Sequence, residues 1–185
     1  MRGRFTLCGF ARPRTALWLG LEMQASVLVR GEAELNAFLA SLPFSRSCLA
    51  SHTSQVARRL TARPPKSAPG VSRQIAFALG VDLRGDLASG TAPTLVVAAT
   101  GDRLVAPEHS VELANGIPGA RLAAVKGGHA ATVEEPERTP AFLSGFLHDL
   151  HGRPRPAPSP TDSDGRPPGP GYRRMVPAPR CPHER

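Results

Sequence analysis

The spacing of apolar side chains changes character near Pro93, and that change divides the chain. Upstream, Leu35, Phe38, Leu39 and Leu42 fall on one helical face, which predicts a helix from Gly31 to Pro43. Glu32 and Glu34 sit in its first turn, where the positive end of the helix dipole favours them. A weaker stripe of Leu49, Val56 and Leu60 predicts a second helix over Ser47 to Arg63, stopped by Pro64 and Pro65. Val71, Ile75 and Leu79 predict a third, closed by Gly80. Before Ala25 no period of either kind is sustained, and Ala25 to Val29 is the only upstream candidate for a strand.

Downstream, Thr94 to Thr100 is an almost unbroken run of β-branched and small residues, the signature of a parallel strand covered on both faces. Pro107 then opens a helix whose expected buried side is Val111, Leu113, Ala114 and Ile117, with an exit through Gly116, Pro118 and Gly119. Ala120 to Val125 reads as the next strand. Phe142, Leu143, Phe146, Leu147 and Leu150 form a broad stripe on a last helix, with Glu134 and Glu135 toward its amino end. Pro140 predicts a kink or a delayed start there, because it removes a backbone donor. The chain thus divides into an unassigned segment 1–30, a helical region 31–85, an α/β unit 86–150 and a tail 151–185. Two strands make a sheet too small to be stable in water, so the first is expected to expose an apolar edge and to favour self-association, unless residues 1–29 add a strand.

Composition alters this picture mainly at the end of the chain. Ten of the 20 prolines and seven arginines fall in the tail, which has too little apolar surface to offset chain entropy and is expected to be disordered. The formal charge of +8 resides in the flanks, because residues 86–150 hold eight acidic and four basic side chains. Tyr172 is the tail's one aromatic and no regular RNA-binding motif accompanies it, so a nucleic-acid partner is not expected. Cys8, Cys48 and Cys181 stand far apart, which fits neither a zinc site nor a disulfide framework and suits a reducing compartment. No run has the length of a membrane span or the layout of a signal peptide, so a cytoplasmic protein without membrane partner, metal or cofactor is expected.

Each strand ends at a glycine with a polar residue held beyond it, Gly101 before Asp102 and Gly128 before His129. A lone Gly-Asp after a strand more often caps a turn or helix, and a lone His beside glycines is more often structural. An acid and an imidazole past neighbouring parallel strands, however, lie where an α/β sheet places its chemistry. His109 is expected at the surface, and a metal triad of His109 with Asp102 and His129 is the weaker alternative.

The segments APTLVVAATGDRLVAPEHSVELANGIPGARL and KGGHAATVEEPERTPAFLSGFL resemble the closing third of the α/β-hydrolase superfamily, in its branch of lid-bearing esterases, lactonases and C–C bond hydrolases. The resemblance implies an α/β fold comprising the last two parallel strands with their flanking helices, and a helical lid over 31–85. It also implies Asp102 as triad acid and His129 as triad base in the hydrolysis of a small ester, lactone or related carbonyl compound. Their separation of 27 positions matches one strand-helix-strand crossover. A serine hydroxyl attacks only when an imidazole takes its proton, and the imidazole needs a carboxylate to fix its tautomer.

The departures from the family are also plain. No G-x-S-x-G, G-x-C-x-G or G-x-D-x-G occurs. Cys8 is followed by Gly9 but has Thr6 and Phe10 where glycines belong, Asp82 falls too late, and Ser72 and Ser89 read as loop serines. Gly90 stands where the family has an apolar anchor. The expectation is an acid and base whose nucleophile comes from another polypeptide or from coding sequence ahead of a misplaced start, leaving the isolated chain inactive. The alternative is a non-catalytic binding module with an apolar pocket.

Overall fold

The structure, a computed structural model, describes residues 3–31, 42–51 and 68–151. The helix expected over Gly31 to Pro43, most of that over Ser47 to Arg63, and the tail beyond 151 lie outside the described residues, although 46–51 is helical.

Three parallel strands form the sheet: β1 (Arg4–Leu7), β2 (Thr94–Ala99) and β3 (Arg121–Val125), in the order β1-β2-β3. All six residues of β2 are buried. Leu95, Val97 and Ala99 pack on one face with Val125, Phe142 and Phe146, while Val96 and Ala98 pack on the other with Ala11, Leu113 and Ala114. Side chains alternate across a strand, so a central strand covered on both faces must be apolar throughout, as this one is.

The N-terminal segment does add a strand, but it is Arg4–Leu7 and not Ala25 to Val29, which lies within helix α1 (Thr15–Arg30). Leu7 pairs with Val97, so the open apolar edge expected on β2 is occupied and the sheet's outer strands are β1 and β3. Four residues are too few to show a period. The α1 stripe of Leu17, Leu21 and Gln24 is blurred in sequence by Trp18, Leu19 and Met23, all exposed.

Helix α2 (Ala68–Gly80) lies against α1, joining Val71 and Ile75 to Leu17, Leu21 and Val105 in a third apolar cluster. Helix α3 (Pro107–Gly116) starts with its proline where the missing donor costs no helical bond. Its buried side is His109, Ser110, Leu113 and Ala114, continued by Ile117, whereas Val111 is 40% exposed. Both the assignment of Val111 to the core and that of His109 to the surface are therefore corrected, while Leu113, Ala114 and Ile117 are buried as expected.

After β3 the chain forms a short helix, α4 (Ala131–Glu134), and then α5 (Arg138–His151) with Pro140 in its first turn. Phe142 and Phe146 enter the core, while Leu143 and Leu147 remain partly exposed, making the buried stripe narrower than expected. The carboxyl ends of all three strands point to one place, occupied by Cys8, Asp102 and His129.

Candidate active site

Asp102 follows β2 and its side chain is fully buried. Its Oδ1 accepts hydrogen bonds from the Leu104 and Val105 backbone N–H groups at 2.9 and 2.8 Å. That leaves Oδ2 facing His129, whose Nδ1 lies 2.9 Å away. Burial pushes the Asp102 carboxyl up, but the bonds from His129 and Val105 outweigh it and hold the group below its ordinary value. An ionised carboxylate at Nδ1 fixes the proton on that nitrogen and leaves Nε2 as an acceptor, the tautomer a general base needs.

Cys8 is the third member of this cluster. It sits at the end of β1 with φ 53°, and its sulfur lies with the Asp102 and His129 donor atoms inside a 4.8 Å set. Burial, the negative charge of Asp102 and a hydrogen bond to that carboxylate push the thiol up to about 12. Such a group is a proton donor to Asp102 and a poor thiolate at neutral pH. His109 takes no part. Its Nε2 accepts from the Arg14 backbone N–H at 3.2 Å, its Nδ1 meets the Ala106 carbonyl at 3.0 Å, and its ring stands edge-on to Phe10. The alternative metal triad through His109 is thereby removed: the histidine anchors the start of α1 instead.

The loop carrying His129 is clamped from the other side. Gly127 has φ +116°, and a Cβ on Gly128 would lie 2.5 Å from both the Pro43 carbonyl oxygen and the Ser45 nitrogen. Glu134 Oε1 accepts from the backbone N–H groups of Gly128 (2.9 Å) and Ser45 (2.8 Å), and its other oxygen accepts from the Ser45 hydroxyl. The Ser45 Oγ in turn caps the helical residues 46–51 by accepting from the Cys48 N–H at 3.2 Å. Glu134 thus plays from a distant element the part of the acidic partner in a capping box. The Ala130 N–H closes the contact on the Pro43 carbonyl at 2.7 Å. Gly128→Ala is expected to lower stability by about 2–3 kcal/mol in urea unfolding, because the atoms it meets are backbone. Unchanged stability would mean that segment 43–45 does not rest on this turn.

No protein-family profile matches the chain. Over 82 residues it is 35% identical to a protein assigned as the carbamate hydrolase RutD of Stutzerimonas stutzeri, covering 44% of this chain and 31% of that protein. The solved structures that share its architecture include three from separate sources. They are the α/β-hydrolase MGS-M2 from a Medee basin deep-sea metagenome library (TM-score 0.68, 19% identity), a hydrolase from Pseudomonas aeruginosa (0.65, 24%) and the enol-lactonase of Burkholderia xenovorans (0.65, 20%). These alignments cover 78%, 82% and 78% of this chain and 56% of each of the others. This is an α/β-hydrolase fold, in part. The chain spans just over half the length of these structures and about a third of RutD.

Within the hydrolase fold, helices α1 and α2 and the strand ends line an open cleft of about 900 Å³. Leu17, Leu21, Phe77 and Leu104 make its wall largely apolar, and Cys8 and His129 open onto it. Gln24 also lines it. This residue was missed in sequence, although it occupies a buried position of the α1 stripe otherwise held by leucines, and a polar residue in an apolar register is a legible signal. Among the described residues no helix is long and apolar enough to cross a membrane.

Proposed function

We propose that this chain carries the acid-base half of a hydrolase centre acting on a small ester, lactone or related carbonyl compound. The observation that supports this reading most directly is the 2.9 Å contact between His129 Nδ1 and the buried Asp102 carboxylate at the mouth of an apolar cavity. In this reading His129 Nε2 takes the proton of an attacking hydroxyl and later returns it to the leaving group, while Asp102 stabilises the imidazolium that forms. The hydroxyl belongs to a G-x-S-x-G turn that the sequence does not contain, on another polypeptide or in coding sequence ahead of it. The test is hydrolysis of short-chain p-nitrophenyl esters by the chain alone and after mixing with a polypeptide bearing the early strands and nucleophile turn of this fold. We expect turnover only in the mixture and its loss with His129→Ala. Turnover indifferent to His129 would refute the assignment.

A second reading, a binding module without catalysis, is favoured by Cys8. Its thiol is hydrogen-bonded to the Asp102 carboxylate, which His129 meets through Nδ1 and not through the Nε2 that takes a nucleophile's proton, so the one sulfur in the cluster is placed on the acid and not in the position of the serine. Saturable binding of an apolar ester with no turnover in either arrangement would select this reading.

A further inference from the structure

Gln24 is the most informative residue outside the Asp102–His129 pair. It lies on the inward face of α1, one helical turn beyond Leu21, and is 8% exposed. Its Nε2 is the one buried side-chain nitrogen or oxygen among the described residues that has no hydrogen-bond partner. Leaving an amide donor buried and unpaired costs on the order of 1–3 kcal/mol, and buried polar groups in native structures are nearly always satisfied. An apolar side chain at this position would complete the leucine stripe without that cost. The residue lines the same cavity as His129, and that cavity offers few other polar side chains.

We propose that Gln24 is the specificity-determining donor of this cavity, and that its partner is the carbonyl oxygen of a small neutral ester, lactone or carbamate. The chemistry of the site selects this ligand class. A lone neutral N–H donor satisfies an uncharged acceptor, whereas a carboxylate or phosphate ligand would need a cation, and the described lining residues include no lysine or arginine and add the carboxylate of Asp82. Leu17, Leu21 and Phe77 cover the ligand's hydrocarbon part, which gives affinity, while the amide distinguishes a carbonyl compound from a hydrocarbon or ether of the same shape. The pairing is asymmetric: a site built to donate rejects an analogue without an acceptor more strongly than an apolar site rejects an added polar group. The inference rests on the cavity being the substrate site of the proposed hydrolase centre, but it concerns binding and not turnover.

The test compares benzyl acetate with benzyl ethyl ether, which lacks the carbonyl, as NMR-titrated ligands of the full chain. Wild type should bind the ester about tenfold more tightly than the ether, and the nearly isosteric Gln24→Met should reduce that ratio to within about twofold. Its thermal midpoint should hold or rise, since the variant removes an unpaired donor. Equal affinity for both ligands in wild type, a ratio retained in Gln24→Met, or a lowered midpoint signalling a structural role would each overturn the proposal. Should the variant fail to fold, the wild-type Gln24 side-chain amide resonances decide: they shift with the ester and not with the ether, or the proposal falls. Selective binding without hydrolysis in the completed mixture would refute the hydrolase reading alone. Hydrolysis with an unchanged ratio in Gln24→Met would refute the inference alone.

Discussion

Asp102→Ala is expected to lower stability by about 3 kcal/mol or more, a larger effect than any surface substitution in this chain would produce. The carboxylate is the acceptor for the Leu104 and Val105 N–H groups and for His129, and its removal leaves buried donors unpaired. Urea unfolding of both proteins at pH 7 measures the loss. Asp102→Asn separates architecture from chemistry. Its amide oxygen still accepts from Leu104 and Val105, but its NH₂ faces His129 Nδ1, so the ring must carry its proton on Nε2. A ring in that tautomer takes no proton from a nucleophile. In the completed centre kcat should fall by about 10⁴, the loss seen for the same exchange in a Ser-His-Asp triad, with a far smaller change in stability. An Asn variant that kept its rate would show that this carboxylate does not orient the base.

Which parts of this arrangement were legible in the sequence follows from how far each signal extends along the chain. β2 was legible because burial on both faces leaves a continuous apolar run, and Asp102 and His129 because each follows a strand and a glycine. β1 was not. Four residues, Arg4–Leu7, carry no period, and their place beside Thr94 to Val97 is set by pairing with a strand some ninety positions away. The neighbours of Cys8, Thr6 and Phe10, do not fit a nucleophile turn. The actual place of Cys8 beside Asp102 follows from that same long-range pairing, which no local motif encodes. His109 shows the converse error. A histidine on an amphipathic helix with acidic neighbours reads as exposed, yet two backbone partners, at Arg14 and Ala106, satisfy both ring nitrogens in the interior. The clamp of Glu134 on Ser45 joins residues 89 apart and replaces a local capping box, so it too lay beyond pattern reading.

Cys8 also makes the fold sensitive to alkali, with a sign that can be worked out. Burial and the adjacent Asp102 charge push its thiol from 9.0 up to about 12. The unfolded chain releases this proton near pH 9 while the native chain retains it. The associated stabilisation is therefore complete below pH 9 and is lost progressively as the pH rises to about 12, with a total on the order of 4 kcal/mol for a shift of this size. Asp102 acts in the opposite direction: its native value lies below 3.8, so its contribution is present above about pH 4 and is lost as the pH falls through the native value. Urea unfolding at pH 7, 9 and 10.5 should show a steeper alkaline decline for wild type than for Cys8→Ser, whose hydroxyl keeps a donor toward Asp102 but does not titrate in this range. Asp102→Asn should shorten the same alkaline limb, because it removes the charge that helps raise the thiol. Coincident limbs for wild type and Cys8→Ser would mean that the sulfur does not lie buried against the acid, and the three-residue cluster would reduce to the Asp102–His129 pair.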